Sequence, residues 1–418
     1  MTSLRSCPPE IIKLIVDELA TSGRGPWKNL KRDLKSCSRA SRLFLPHTRT
    51  HIFHSISIRS SGRNYSTSAA RRLVQAIEWA PDIAHSIRTV RLDLQLDTFF
   101  FNPPDATNTL LSLLTRVQDL TVVLNTPGSR WLVPWEGIPN NVCSTLRKWL
   151  QSPGFKRLKL MNVQFPLAGE IERSHGLLTG LEELHLTDSH VYFYNDGSDE
   201  SVDIDEEPLR PPIPLKSLSL DCCNRSADIA AVENDEQDDA VPPLASLHPS
   251  SHQSLRHLTI HLMHYVDEIA TITHTGQYHG ICGNNDSPNP SESILTPFRN
   301  LETFKFSLIL NGQVEYLETT DNWTSLDRVL NGHQTSSQPT TAFPALNAVE
   351  IDIEIVVYEP YELKAAEELR EKAAEKMRTK WFPGLDKRSK EGTMTLKTSV
   401  RLTERRECYT EDTDDEEQ

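Results

Sequence analysis

The chain has 418 residues, a formal net charge of −14, 37% hydrophobic residues and 26 prolines. That length admits two or three domains, or one small domain followed by a repeat array, and the modest apolar content predicts a core interrupted by polar insertions. There is no apolar run of membrane-spanning length and no basic stretch leading into an apolar one at the N-terminus, so neither a membrane span nor a secretory leader is supported and a cytoplasmic or nuclear location is expected.

The first element is predicted within CPPEIIKLIVDELA, residues 7 to 20. Pro9 suits the first helical turn, where its missing N–H costs nothing, and Glu10 sits near the positive end of the helix dipole. Ile11, Ile12, Ile15, Val16 and Leu19 recur at helical spacing and read as one apolar stripe. Gly23, Gly25 and Pro26 end it. A second helical pattern is expected in LKSCSRASRLFLPHTRTHIF, residues 34 to 53, with Leu34, Cys37, Ala40, Ser41, Phe44 and Leu45 on one side, before HSISI at 54 to 58 alternates like a strand. Helices this short cannot bury all of those apolar groups among themselves, so part of the surface is expected to meet a partner.

This pattern, Pro-Pro-Glu-Ile-Ile followed by Leu19, Leu34, Cys37, Ser38, Ser41, Arg42 and Phe44 with HIFHSISI after it, resembles an F-box of the form common among fungal F-box proteins. The resemblance covers residues 4 to 58. It implies a small helical module that binds the Skp-type adaptor of a cullin-based ubiquitin ligase while the rest of the chain captures a protein substrate. On that resemblance the adaptor-binding residues are Pro9, Glu10, Ile11, Ile12, Ile15 and Leu19 on the first helix and Leu34, Cys37, Ser41 and Phe44 further on.

Net acidity opposes sequence-independent binding to nucleic acid, which depends on Lys and Arg neutralising phosphates. Residues 24 to 59 are a local exception, carrying Arg24, Lys28, Lys31, Arg32, Lys35, Arg39, Arg42, Arg49 and Arg59, whereas acid concentrates at 195 to 207, 233 to 239 and 410 to 418. A connector helix is predicted at 68 to 80, within a linking region of residues 59–86. Eight segments then share the template apolar-x-x-apolar-x-apolar: IRTVRL at 87, VQDLTV at 117, FKRLKL at 155, LEELHL at 181, LKSLSL at 215, LRHLTI at 255, LETFKF at 301 and LNAVEI at 346. Recurrence at intervals of 26 to 46 residues is similar to leucine-rich repeats. Each segment predicts a short strand with one buried face, stable only beside its neighbours, and helix-like stretches at 107 to 117 and 143 to 152 are expected to cover the outer side. The ninth repeat position carries Asn or Cys only at Asn125 and Cys223, which predicts an irregular solenoid.

Residues between the two buried positions of each strand should share the opposite face: Arg91, Thr121, Lys159, His185, Ser219, Thr259, Lys305 and Glu350. Of these, Arg91, Lys159, His185 and Lys305 are the candidate substrate contacts, suited to an acidic or phosphorylated partner. His257 and His261 belong to the same face because they alternate with Leu258 and Ile260. A long, mostly exposed C-terminal helix is predicted at 361 to 381, and residues 386–418 are expected to be a largely disordered tail.

The chain carries no nucleophile elbow, phosphate loop or zinc-protease motif, and no cofactor is expected. His264, His274, His279 and Cys282 match no closed zinc spacing, and seven cysteines without regular spacing read as thiols of a reducing compartment. The whole reads as an α/β protein with no catalytic centre: an F-box-like module (4–58), an irregular leucine-rich-repeat-like solenoid (87–358), a C-terminal helix (359–385) and a disordered acidic tail. The implied role is substrate receptor of a cullin-based ligase, binding a Skp-type adaptor, through it a cullin, and an unidentified protein target. The alternative is a non-catalytic repeat scaffold whose N-terminal helices only cap the array. Neither membrane nor nucleic acid is an expected partner.

Overall fold

The computed structural model describes residues 7–22, 27–60, 67–95, 105–125, 133–135, 138, 140–166, 180–187, 190–192, 215–223, 249–264, 295, 298–311, 326–327, 329–331, 334–335, 338–339, 343–357 and 363–404. The chain divides into two compact units, Met1–Ile213 and Pro214–Gln418.

The first unit opens with three helices, α1 (Pro9–Ser22), α2 (Trp27–Ala40) and α3 (Leu45–Ile52). The Pro8 carbonyl accepts the N–H groups of Ile11 and Ile12 at 3.0 and 3.2 Å, which starts α1 where Pro9 favours it. The single helical pattern expected over residues 34 to 53 is in fact the end of α2 and all of α3. Pro46 lies in the first turn of α3 and has no N–H with which to extend a preceding helix, so the chain turns at residues 41 to 44 and starts again. Val16, Leu30 and Leu34 form the core of this module, with Leu19, Phe44 and Ile52 packed against it.

Beyond the module come β1 (Ser55–Ser60), α4 (Thr67–Trp79), α5 (Asp82–Ser86), β2 (Thr89–Gln95), α6 (Asp105–Leu113), β3 (Asp119–Asn125), β4 (Val133–Pro134), α7 (Asn140–Leu150), β5 (Arg157–Met161), β6 (Val163–Pro166), β7 (Glu183–Thr187) and β8 (His190–Tyr192). The five main strands run parallel in the order β1-β2-β3-β5-β7. Helix α6 packs between α4 and α7, and the indole N–H of buried Trp149 on α7 donates to the Leu114 carbonyl at 2.7 Å. Asn162, at φ 58°, turns the chain from β5 into β6, which pairs with β4 and β8 in a separate three-stranded sheet. Asparagine tolerates this left-handed conformation better than other residues with a Cβ.

One device repeats at the start of each strand. The His54 carbonyl accepts the N–H groups of both Arg88 and Thr89, that of Arg88 accepts Gln118 and Asp119, that of Gln118 accepts Lys156 and Arg157, and that of Lys156 accepts Glu182 and Glu183, all at 2.8–3.1 Å. Each turn of chain is thus fastened to the preceding one at the same position. The first apolar residue of the template is buried in all four repeats of this unit (Ile87, Val117, Phe155, Leu181), as are the fourth (Val90, Leu120, Leu158, Leu184) and the sixth (Leu92, Val122, Leu160, Leu186).

The second unit repeats the same logic with β9 (Ser217–Cys223), α8 (Pro249–Ser254), β10 (His257–His264), β11 (Thr303–Asn311), β12 (Gln334–Thr335), β13 (Gln338–Pro339), β14 (Ala348–Val357), α9 (Leu363–Lys376), a π-helical turn (Met377–Trp381), α10 (Pro383–Lys390) and β15 (Thr395–Glu404). Its main strands run parallel in the order β9-β10-β11-β14-β15, while β12 and β13 form a small antiparallel pair. Carbonyls of Lys216, Arg256 and Glu302 each accept two N–H groups from the next strand start, and Asn347 accepts Thr395. Helix α9 packs on β14 and β15 and buries Ala366 and Ala373, and Met377 and Trp381 follow in the π-helical turn.

Residues 386 to 404, expected to belong to a disordered tail, instead complete α10 and form β15. The template reads TMTLKT at 393, with threonine where the first and last apolar residues stand elsewhere, so the sequence pattern fades just where the last strand adds itself beside β14.

Candidate functional site

The apolar residues of α1 face two ways. Ile12 and Val16 are buried, at 2% and 1% exposure, and Leu19 packs on the module core, whereas Ile11, Leu14 and Ile15 are 46%, 62% and 49% exposed. Successive helical residues are about 100° apart, so 12, 16 and 19 share one arc and 11, 14 and 15 the neighbouring one. The single stripe expected from the sequence is two stripes. Of the residues matched to adaptor binding, Pro9, Glu10, Ile11 and Ile15 are exposed and Leu19, Cys37, Ser41 and Phe44 are half-buried. Ile12 and Leu34 are core residues and present no surface to a partner. Leu14, with Leu43 and Trp79 at 41% and 90% exposure, is the apolar surface that periodicity passed over, because a helical pattern counts apolar residues without saying which are covered.

Helix α1 is held to α3 by a polar clasp. Asp17 Oδ1 lies 2.7 Å from His51 Nε2, and Lys13 Nζ donates to Asp17 Oδ2 at 2.6 Å. Hydrogen bonds from Lys13 and then His51 hold the Asp17 carboxyl below its usual range.

The second surface is the strand face opposite the buried rows. In the first unit Ser57, Arg91, Thr121, Lys159 and His185 stand in one register line. In the second, Ser219, Thr259, Lys305, Glu350 and Lys397 do the same. Every position expected on this face from strand alternation therefore falls in line within its unit, and the structure adds Ser57 and Lys397. His257 and His261 alternate with buried Leu258 and Ile260 as expected, and His257 Nδ1 meets Thr303 Oγ1 at 2.8 Å.

Much of the charge on this face is paired locally. Arg91 Nε donates to Asp93 Oδ1 at 2.8 Å, Arg59 reaches the same carboxylate at 3.1 Å, and Arg157 Nε donates to Asp119 Oδ1 at 2.7 Å. Lys305 Nζ donates to Glu350 Oε1 at 3.0 Å. Asp352, itself buried, accepts Ser399 Oγ and the Arg401 guanidinium across β14 and β15. Lys159 makes no ion pair among the described residues, and beside it burial and then the Lys159 charge push the His185 imidazole down from its ordinary pKa.

Among the described residues no group of three or more His, Cys, Asp or Glu side chains is placed to hold a metal ion, and no helix is long and apolar enough to cross a membrane. His264 ends β10, while His274, His279 and Cys282 lie outside the described residues.

No family model matches the chain, and no curated protein matches it. Among solved structures it is similar to a chain in "Crystal structure of TLR13-ssRNA13 complex", at 12% identity and a TM-score of 0.33, covering 85% of this chain and 37% of that one.

Proposed function

We propose that this chain is a non-catalytic protein-interaction scaffold, with leucine-rich-repeat-like parallel strands that offer a polar face to a target and an N-terminal helical module that docks a partner. The observation that carries the docking role is the outward arc of Ile11, Leu14 and Ile15 on a helix whose other apolar arc already fills the module core. Contiguous exposed aliphatic side chains on a short helix are the physical mark of an interaction surface. The mixed strand face supports target recognition, since dispersed polar side chains on rigid strands give specificity without a pocket.

A finer reading is favoured by the F-box resemblance together with that same arc: the module docks a Skp-type adaptor, and the chain acts as a substrate receptor of a cullin-based ubiquitin ligase. Its mechanism would be proximity, raising the effective concentration of target lysines near a ubiquitin-charged enzyme.

The test uses paired substitutions on exposed positions, Ile11→Asp with Ile15→Asp, because Ile12 is a core residue. For the docking role, the thermal midpoint is expected to stay within a few degrees of wild type, as for exposed sites. A drop equivalent to about 2 kcal/mol or more would show that these side chains pack within the chain and would make the helices a cap. For the finer reading, purified Skp-type adaptor is expected to bind the wild type and to lose at least about tenfold in affinity with the variant. No binding by the wild type removes the ligase reading and leaves the scaffold.

A further inference from the structure

Helix α2 is basic along one side. Lys31, Lys35 and Arg39 recur every four residues, Arg32 lies beside them, and together they occupy an arc of about 100°, adjoining the arc of buried Leu30 and Leu34. Arg42 follows immediately after the helix. Arg32, Lys35, Arg39 and Arg42 are exposed and Lys31 is half-buried. Asp33 is the one acidic residue of α2, and its ion pair, at 3.7 Å, is with its neighbour Arg32. Among the described residues Lys35, Arg39 and Arg42 make no ion pair.

The arrangement is unfavourable for the chain alone. Like charges four residues apart on a helix repel by a few tenths of a kcal/mol per pair. Burial, and then the Lys35 charge, push the Lys31 ammonium down from its ordinary value. A negatively charged surface would offset the like-charge repulsion. The protein as a whole carries −14, so this stripe stands against the sign of the chain.

We infer that the basic side of α2, formed by Lys31, Arg32, Lys35, Arg39 and Arg42, docks an acidic segment of a partner protein. Charge complementarity sets the sign of the partner, and the neighbouring aliphatic surface sets its class. Leu43 is exposed directly after Arg42, and Ile11, Leu14 and Ile15 are exposed on the same module. Exposed aliphatic side chains on the same module as a charged stripe supply the apolar and polar parts that a protein interface combines. A polyphosphate chain would gain little from aliphatic contacts, whereas a protein segment can supply both the acidic and the apolar side chains. The inference rests on the reading of the helical module as a docking end and adds the chemistry of what docks there.

The test is fluorescence anisotropy of a labelled oligo-glutamate peptide titrated with the full chain at low ionic strength, with a labelled oligo-thymidylate in a parallel arm. The peptide is expected to bind, and to lose at least about tenfold in affinity when salt is raised past the point where the Debye length falls below about 8 Å. The triple variant Lys35→Ala, Arg39→Ala, Arg42→Ala should lose a similar factor with its circular dichroism unchanged, whereas Lys380→Ala with Lys387→Ala, both exposed and away from either proposed surface, should bind as wild type. The chain carrying Ile11→Asp and Ile15→Asp should keep most of its affinity for the peptide, so failure of adaptor docking and failure of this inference are read separately. Absence of peptide binding, a triple variant that binds unchanged, or tighter binding of the thymidylate than of the peptide at matched charge would each overturn the proposal.

Discussion

Asp327 and Leu385 are 58 residues apart, and the carboxylate Oδ1 of the first accepts the backbone N–H of the second at 2.9 Å. Oδ2 of the same carboxylate accepts the Gly384 N–H, also at 2.9 Å, and Asn331 Nδ2 donates to Oδ1 at 2.8 Å. Phe382, at the N-cap of α10, supplies no side-chain cap, so a distant aspartate does its work at the positive end of the helix. A Cβ at position 384 would collide with Asn331 and Asp327, which explains the glycine there. Asp327→Ala is expected to cost about 1–3 kcal/mol, because it leaves buried N–H donors unmade. Asp327→Asn should cost less, since one oxygen remains. Denaturant midpoints of the two variants check the order.

Gly392, at φ +73°, closes the other end of α10. Its N–H donates to the Ser389 carbonyl and that of Thr393 to the Arg388 carbonyl, each at 3.1 Å, the bonding pattern of a Schellman cap. A Cβ there meets open space, so the cost of Gly392→Ala is conformational, about 1 kcal/mol. Because β15 follows this turn, hydrogen exchange should rise in residues 395 to 404 before it rises in β14.

The clasp between α1 and α3 gives the helical module an acid limit. The Asp17 carboxyl is held below its ordinary value, so the stability it contributes is present above about pH 4, the unfolded value, and is lost as pH falls through the lower folded value. Asp17→Asn should lower the thermal midpoint at neutral pH, and the gap from wild type should close below about pH 3. A gap that stayed constant with pH would show that the effect is not ionic.

His185 adds a second loss of stability on acidification, in a higher pH range. Its folded-state pKa is depressed, so the unfolded chain takes up the proton first and stability falls as pH drops below about 6.5 towards the folded value. Lys159→Gln removes the second cause and leaves the first, so the imidazole titration followed by NMR should move upward without reaching its ordinary value.

The two faces of the strands should differ sharply in tolerance. Leu160→Ala, in a fully buried row, is expected to cost about 2–5 kcal/mol. Lys305→Ala breaks an ion pair whose partners are each more than two-fifths exposed and should cost under about 1 kcal/mol. Urea unfolding of both variants gives the comparison.

Much of the array was legible because its signal is one-dimensional. A strand that buries alternate residues beside like neighbours needs an apolar-x-x-apolar-x-apolar hexamer, and all eight hexamers have their three apolar positions buried. A ninth occurrence, Phe53-His-Ser-Ile56-Ser-Ile58, leads into β1, with Ile56 and Ile58 paired in register to Val90 and Leu92. The last strand escaped because Thr398 stands in register with Ile351, and at the edge of the array α9 can cover a threonine that an inner strand would replace with an aliphatic.

The sequence by itself therefore determined which residues repeat, which face of each strand is apolar and that the N-terminal helices carry more apolar surface than they can enclose. Only the tertiary structure decided which of those helical residues are enclosed: Ile12 and Leu34 inside, Ile11, Leu14 and Ile15 outside. It also decided that Asp327 caps a helix 58 residues away and that Lys35 and Arg39 of α2, on one side of that helix, make no ion pair among the described residues. Periodicity reports the chemistry along one element, whereas burial and pairing depend on what other elements bring to it through contacts that leave no local trace in the chain.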